Sequence, residues 1–249
     1  MYFYIEGLVL KNMDFKEADK IVTVLARKEG KLGLVAKGVK KPKSSLRGVV
    51  QPFCYSRLHI SKGRGMGLIT QGRVLDFYGS IREDLDKTLQ VVYLMELLDK
   101  CTADADPHPR LFDLALSVLQ YLDSEDSFPL VIRWFELRML TELGFGPKLD
   151  RCIRCGQSEA LERFSISEGG VLCRGCGVSS QAEGLELSGE TLAVLRVLAA
   201  RDLDFLRRLR VSKRALQQVE NLLERFLAYH LERRFNLKNI IKFLKDDNL

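Results

Sequence analysis

The residues best placed to do chemistry are four cysteines. Cys152-x2-Cys155 is followed by seventeen residues and then by Cys173-x2-Cys176. A Cys-x-x-Cys pair on a tight turn brings two thiolates to one side. Two such knuckles complete a tetrahedral site for one Zn²⁺, with sulfur at about 2.3 Å. All four positions are then filled and none is left for a substrate water, so the expected role is structural. Disulfides, a redox Cys-x-x-Cys and an iron–sulfur cluster are the alternatives. Nothing suggests export, which argues against disulfides, and a redox pair would need a βαβ setting that is absent. Glycines at 156, 175 and 177 relieve the backbone where amides turn toward the sulfurs. Arg151, Arg154, Arg163 and Arg174 lie among the cysteines. They could touch nucleic acid, but cations there more often offset the charge of the thiolates. Cys54 and Cys101 stand alone and read as buried apolar residues.

A second chemistry is phosphate neutralisation. Ala36 to Gly48 holds Lys37, Lys40, Lys41, Lys43 and Arg47, with no acid in thirteen residues. The segment joins two strand-like runs and is expected to be an exposed, flexible loop. Its cations would release counterions from a nucleic-acid backbone, giving salt-sensitive, sequence-tolerant binding. Ser44 and Ser45 add neutral donors. Lys62 and Arg64 sit at a neighbouring hairpin tip and would extend the track. Tyr2, Tyr4, Phe53 and Tyr55 could stack on bases, although barrel aromatics more often fill the core.

Catalytic chemistry is not supported. Gly33-x4-Gly38-Val39-Lys40 lacks the Lys-Ser/Thr and the helix of a phosphate-binding loop. His59, His108 and His230 lie in no metal or triad motif. Glu83-Asp84 and Asp246-Asp247 suit element ends. The expectation is that the protein is not an enzyme.

The elements that position these residues fall into three kinds. Residues 1–78 alternate and are rich in β-branched and aromatic types, with runs at Tyr2–Lys11, Lys20–Arg27, Leu32–Lys37, Val49–Ser61 and Met66–Phe77. Five short strands with turns between them suggest a small barrel, of the OB or SH3-like kind. From Asp84 the period becomes helical, with expected helices at about 85–98, 109–123 and 129–143. Gly144 and Gly146-Pro147 stop the third. Residues 148–184 hold the cysteines and little apolar bulk. Helices return after Ser188 and Ser212, both suited to capping. The last of these is expected to run to Phe235, followed by a short helix over Leu237–Leu244 and a fraying tail.

The predicted organisation is therefore α+β and multidomain. A five-stranded OB-fold-like barrel occupies 1–80, and a helical domain occupies 81–149 and 185–249. A zinc-ribbon-like module at 150–184 is inserted between the two helical parts.

Charge is unevenly spread along this plan. Residues 1–75 hold fifteen Lys/Arg against five Asp/Glu, a local excess of +10, while the whole chain is only +6. Such asymmetry points to a polyanion contacted by the N-terminal domain. With 46% hydrophobic residues in 249 the chain can bury a core, which disfavours disorder. No apolar run approaches the length of a membrane span. Glu6 and the missing basic n-region argue against a signal peptide. A cytoplasmic, nucleoid-associated protein is expected.

Taken in order, the parts resemble the RecO family of bacterial DNA repair proteins. The match is carried by Gly7-Leu8-Val9-Leu10 with Glu17-Ala18-Asp19, by Ala36-Lys37-Gly38-Val39 through Arg47-Gly48, and by Gln51-Pro52-Phe53. Arg133-Trp134-Phe135-Glu136-Leu137-Arg138 and Leu143-Gly144-Phe145-Gly146-Pro147, leading into Cys152, complete it. The resemblance covers essentially the whole chain. It implies a recombination mediator whose OB-fold binds single- and double-stranded DNA and anneals complementary strands. With the RecR protein, such a mediator helps load RecA onto DNA coated by single-stranded DNA-binding protein. It also implies a site on the helical domain for the acidic tail of that coating protein. Such a peptide needs an apolar groove rimmed by cations, for which Arg133 and Arg138, beside Trp134 and Phe135, are candidates. The cluster Arg207-Arg208, Arg210, Lys213-Arg214 is a third basic surface. Some relatives of this kind lack the cysteines, which fits a structural zinc. The competing reading is a zinc-ribbon scaffold that binds RNA or assembles a transcription complex.

Overall fold

A computed structural model describes residues 1–63, 65–125, 129–178 and 184–231. Arg64, the Asp246-Asp247 pair, the extension of the last helix to Phe235, the helix expected over Leu237–Leu244 and the tail lie outside these residues. The chain divides into two compact units, with the break between 126 and 127.

In the first unit, β1 (Tyr2–Phe15), β2 (Asp19–Ala26), β3 (Gly30–Ala36), β4 (Tyr55–Ser61) and β5 (Gly67–Asp76) close a barrel in the order β1-β2-β3-β5-β4. All neighbours are antiparallel except β3 and β5, which run parallel from the pair Leu34 and Gly67. This order, which periodicity alone cannot supply, is that of the OB-fold. Alternation fills the interior: Val22, Val24 and Ala26 from β2, Leu58 and Ile60 from β4, with Ile5, Val9, Leu34 and Ile69. Ser56 also points inward, and its hydroxyl donates to the Val49 carbonyl at 3.0 Å, so burial leaves it no unmet bond.

Three helices belong to the same unit: α1 (Gly79–Glu83), α2 (Leu85–Cys101) and α3 (Pro109–Ser124). The Asp84 carboxylate caps α2 by accepting from the Lys87 amide at 3.0 Å. The helix packs on β1 and β2, where Leu8, Leu10 and Leu25 are buried outside the barrel's own core. Lys31 Nζ reaches the carbonyls of Asp99 and Thr102 at 2.6 and 2.8 Å. A cation is thereby placed on the negative end of the α2 dipole. Lys11 pairs with Asp99 and Arg27 with Asp113. Three cations of the basic N-terminal third therefore fasten helices to the barrel.

The second unit contains α4 (Leu130–Glu142), β6 (Leu161–Ser165), β7 (Gly170–Cys173), α5 (Arg174–Val178), β8 (Gly184–Glu186), α6 (Gly189–Ala200), α7 (Leu203–Leu206) and α8 (Lys213–Leu231). Helices α4, α6 and α8 pack on one another. Helix α4 ends as its sequence requires: Gly144 takes φ +87°, the Phe145 amide donates to Leu140 and the Gly144 amide to Thr141. Those two bonds make a Schellman cap. Ser188 and Ser212 cap α6 and α8 by accepting from the Thr191 and Ala215 amides. The three short strands form a sheet in the order β7-β6-β8, and Phe164 of β6 meets Phe226 of α8 edge-on at 5.4 Å. Among the described residues, no helix is long and apolar enough to cross a membrane.

Candidate metal centre and nucleic-acid interface

The two cysteine knuckles converge. Cys152 and Cys155 lie on the turn before β6. Cys173 ends β7, and Cys176 follows in the single turn of α5. All four sulfurs lie within 4.8 Å of one another, and Cys155 and Cys173 are 3.6 Å apart. A tetrahedral Zn–S₄ site needs sulfurs about 3.8 Å apart, so the donor set and its spacing fit one thiophilic ion. All the cysteines are free thiols. The first knuckle is closed by the Gly156 amide donating to Cys152 and by the Cys152 amide donating to Gln157. Gly156 sits at φ +78°, as expected of its position, whereas Gly175 and Gly177 are helical. At Gly177 the constraint is space, since a Cβ would lie 2.7 Å from Arg163 Cδ.

Charge within the knuckles is uneven. Burial pushes the Cys152 thiol up, but the amides of Cys155, Cys173 and Arg154 aimed at it outweigh burial and hold it at about 6. Hydrogen bonds to the Cys155 and Cys173 sulfurs push Cys176 up to about 12. The amides thus favour the charged form of Cys152, and a cation would draw protons off the remaining thiols. Three of the four arginines around the site have internal partners, while Arg151 is exposed with none among the described residues. Arg154 forks onto Glu168 and reaches the Cys176 carbonyl, Arg163 reaches the carbonyls of Gly177 and Gly184, and Arg174 pairs with Glu162. Arg196 of α6 donates to the Leu149 carbonyl through two nitrogens, at 3.0 and 2.8 Å, and so ties the first knuckle to the helices.

The basic segment between β3 and β4 is a chain of turns, and it is less free than its composition suggests. Val39, Leu46, Val49 and Val50 are buried in the barrel's core cluster. The expected flexible loop is therefore anchored by its apolar residues, and β4 begins at Tyr55 rather than Val49. Backbone bonds pin its start beside the β1–β2 turn: the Gly38 amide donates to Asp19 and the Lys40 amide to the Ala18 carbonyl. Arg47 donates to the carbonyls of Lys40 and Lys41 and spans the loop. Lys40 pairs with Asp14 at 3.0 Å and holds that carboxyl below the usual range. Lys37, Lys41 and Lys43 are exposed, with no acidic partner among the described residues.

Lys62 is exposed at the β4–β5 hairpin. The Met66 thioether of this hairpin lies over Gly33 on the outside of β3. The β2–β3 pairs Ile21 with Val35 and Thr23 with Gly33 therefore lie between the hairpin and the β1–β2 turn. That is the face on which OB-folds take oligonucleotides.

The stacking candidates separate cleanly. Phe53 is buried beneath Arg82, whose guanidinium lies 3.8 Å from its ring. Tyr55 packs edge-on against Phe112 and donates to Glu6. Tyr2 and Tyr4 are exposed on the outside of the barrel, flanking His59. His59 was not among the candidate site residues. Parity with Glu6 turns Tyr2 and Tyr4 outward, but only the β1–β4 register brings His59 to them.

The paired arginines of α4 differ in use. Arg133 donates two bonds to the fully buried Glu136 and lies 3.6 Å from Glu220. Arg138 lies over Trp134, and both donate to the Arg201 carbonyl at the end of α6. Arg207, Arg208 and Arg210 are exposed between α7 and α8, and Lys213 and Arg214 are exposed in the first turn of α8.

Comparison with known proteins agrees with this architecture. Residues 1–78 match the family model described as Recombination protein O N terminal, and residues 82–239 match Recombination protein O C terminal. A DNA repair protein RecO of Syntrophomonas wolfei is 48% identical over 246 residues, covering 98% of each chain. The proteins of that name from Bacillus pumilus and Desulforamulus reducens are 37% and 34% identical, covering 89% and 99% of this chain and 86% and 96% of their own. With both halves of the chain matched and relatives aligned along nearly its full length, the chain belongs to the RecO family of DNA repair proteins.

Proposed function

We propose that the protein is a non-catalytic recombination mediator of the cytoplasm and nucleoid. It binds single- and double-stranded DNA and anneals complementary strands. Together with RecR, it helps load RecA onto DNA coated by single-stranded DNA-binding protein. The observation that carries this reading is the anchored basic loop, which presents Lys37, Lys41 and Lys43 to solvent beside the oligonucleotide face of an OB-fold. Lys40, Arg47 and Lys62 join them, and Arg64 is assigned to the same track from the sequence. The cations hold the phosphates of two strands near one another and lower their mutual repulsion. This is positioning and needs no covalent step.

The cysteine quartet holds one Zn²⁺, which supplies a structural cross-link between the knuckles and no reaction. The acidic tail of the coating protein docks on the α4 surface, where Arg138 beside Trp134 is the more available cation and Arg133 is engaged by Glu136. A zinc-ribbon scaffold for RNA remains the competing reading. It predicts neither annealing nor a preference for DNA.

The test is strand annealing. Two complementary oligonucleotides, one fluorescently labelled and both coated with cognate single-stranded DNA-binding protein, are mixed with the protein at two salt concentrations without ATP. Salt-sensitive acceleration is expected. No acceleration by a folded, metal-loaded protein would transfer the assignment to the scaffold.

A further inference from the structure

Tyr2 and Tyr4 are 68% and 63% exposed on the outside of the barrel. Exposed rings that gather into one patch mark a contact surface more often than rings scattered singly. Here they are arranged. The Tyr2 and His59 rings are stacked, with centroids 5.5 Å apart and an interplanar angle of 15°, and Tyr4 lies 4.5 Å from His59 on its other flank. The imidazole between them is held in place. The Thr70 hydroxyl lies 3.1 Å from the His59 carbonyl. The same oxygen lies 2.8 Å from Nδ1, so Thr70 bonds both the ring and the backbone of His59. The Tyr4 and His59 positions face each other across β1 and β4, which fixes the spacing through the sheet.

The surroundings of these rings are cationic. Lys62 is adjacent, with its amide donating to the Met1 carbonyl and its own carbonyl accepting from the chain's amino terminus. Arg73, cross-strand from Arg57, lies farther along the same sheet. The acid on this face, Glu6, is consumed by the Arg57 guanidinium and the Tyr55 hydroxyl. The face thus offers aromatic π-surfaces in a positive field and no free carboxylate among its described residues. That combination suits bases joined by phosphates.

We infer that Tyr2, His59 and Tyr4 form a stacking platform for the bases of a single DNA strand, separate from the lysine loop and from the β2–β3 face. The platform rests on the DNA-binding reading above and deepens it. The loop cations grip phosphates of any strand, whereas stacking requires bases that are not already paired. The platform therefore adds to the barrel's DNA binding a bias toward unpaired bases. The hairpin carrying Lys62 separates the two surfaces, so a strand leaving the β2–β3 face crosses a cation before it reaches the rings.

The experiment measures binding of a labelled thymidine oligonucleotide, an abasic strand of equal length and a duplex, using the whole metal-loaded chain. Thymidine should bind the wild type about tenfold more tightly than the abasic strand, given the energy of one or two base stacks. Y2A/Y4A should lose that preference, with abasic and duplex binding unchanged. Y2F/Y4F, which keeps the rings, should retain it. Because the tyrosines are exposed, the melting temperature should not move. A Y2A/Y4A protein with the full preference, or a wild type that binds abasic and normal strands equally, would overturn the platform and point to a protein partner on this face. A wild type that binds no DNA at all would overturn the mediator reading, and the platform with it.

Discussion

The loop between β3 and β4 and the cysteine knuckles are both rich in cations, yet three of the four knuckle arginines are engaged while three of the five loop cations are not. In the knuckles, Arg154, Arg163 and Arg174 each find a carboxylate or carbonyl of their own unit. In the loop, Lys37, Lys41 and Lys43 find none among the described residues, and the backbone that carries them is nailed down by buried valines and a leucine. A local count of charge does not separate these cases. What separates them is supply: acids such as Glu162 and Glu168 lie within the module's own sheet and turn, while the loop's thirteen residues contain none.

Removing the metal should have the largest effect, and on one side of the comparison only. The proposed Zn²⁺ would cross-link the two knuckles, and structural zinc sites of this kind contribute on the order of 10 kcal/mol. A Cys152→Ser variant or exhaustive chelation should lower bound zinc from one per chain to none by elemental analysis. The second unit should lose protease resistance while the barrel keeps its own.

Arg133 is the extreme case of an engaged cation. Glu136→Ala would leave it half-buried without its main partner. Breaking a buried pair costs about 3–5 kcal/mol, and thermal denaturation should show the fall. Replacing both residues by leucine should recover part of it.

The loop side breaks differently. K41E/K43E should weaken DNA binding several-fold, lower the salt slope by about 2 and leave the melting temperature unchanged. The matched R154A/R174A variant in the knuckles should alter binding less than twofold on the order of experimental scatter. If both pairs weaken binding equally, the contrast between the regions fails.

The smallest effect concerns pH. The Arg154 guanidinium beside Glu168 holds its carboxyl below the usual range. A depressed folded-state value stabilises above the ordinary carboxylate pKa and is lost as pH falls through the depressed one. Glu168→Gln should therefore flatten the acid limb of the stability profile and leave the neutral region nearly unchanged, as urea titrations at stepped pH would show.

The readable parts of this molecule are those with long or rigid signatures. The cysteine spacing, the alternation of Val22, Val24 and Ala26, and the Gly144 stop each appear in the fold as the chain implies. Elements too short for a period were lost. Helix α1 has five residues and α7 has four, and the three strands of the knuckle module alternate too little to register. Val49 and Val50 misled for a different reason. Consecutive β-branched residues suggest a strand, but here both turn inward to fill the barrel from a loop, a tertiary demand that local preference cannot express. The aromatic face needed the register between β1 and β4, since only pairing reveals that His59 sits between two tyrosines.

The inward-pointing loop residues have a thermodynamic consequence. A basic segment that must fold around its ligand pays an entropy charge at each encounter and buries new apolar surface, which shows as a large negative heat-capacity change. Here Val39, Leu46, Val49 and Val50 are already inside, and Arg47 already bridges the backbone. The lysines behave as teeth on a rigid comb, set at fixed intervals before any strand arrives. Docking can then be fast, with little change in heat capacity, and equally fast to reverse, as the strand-annealing role proposed above requires.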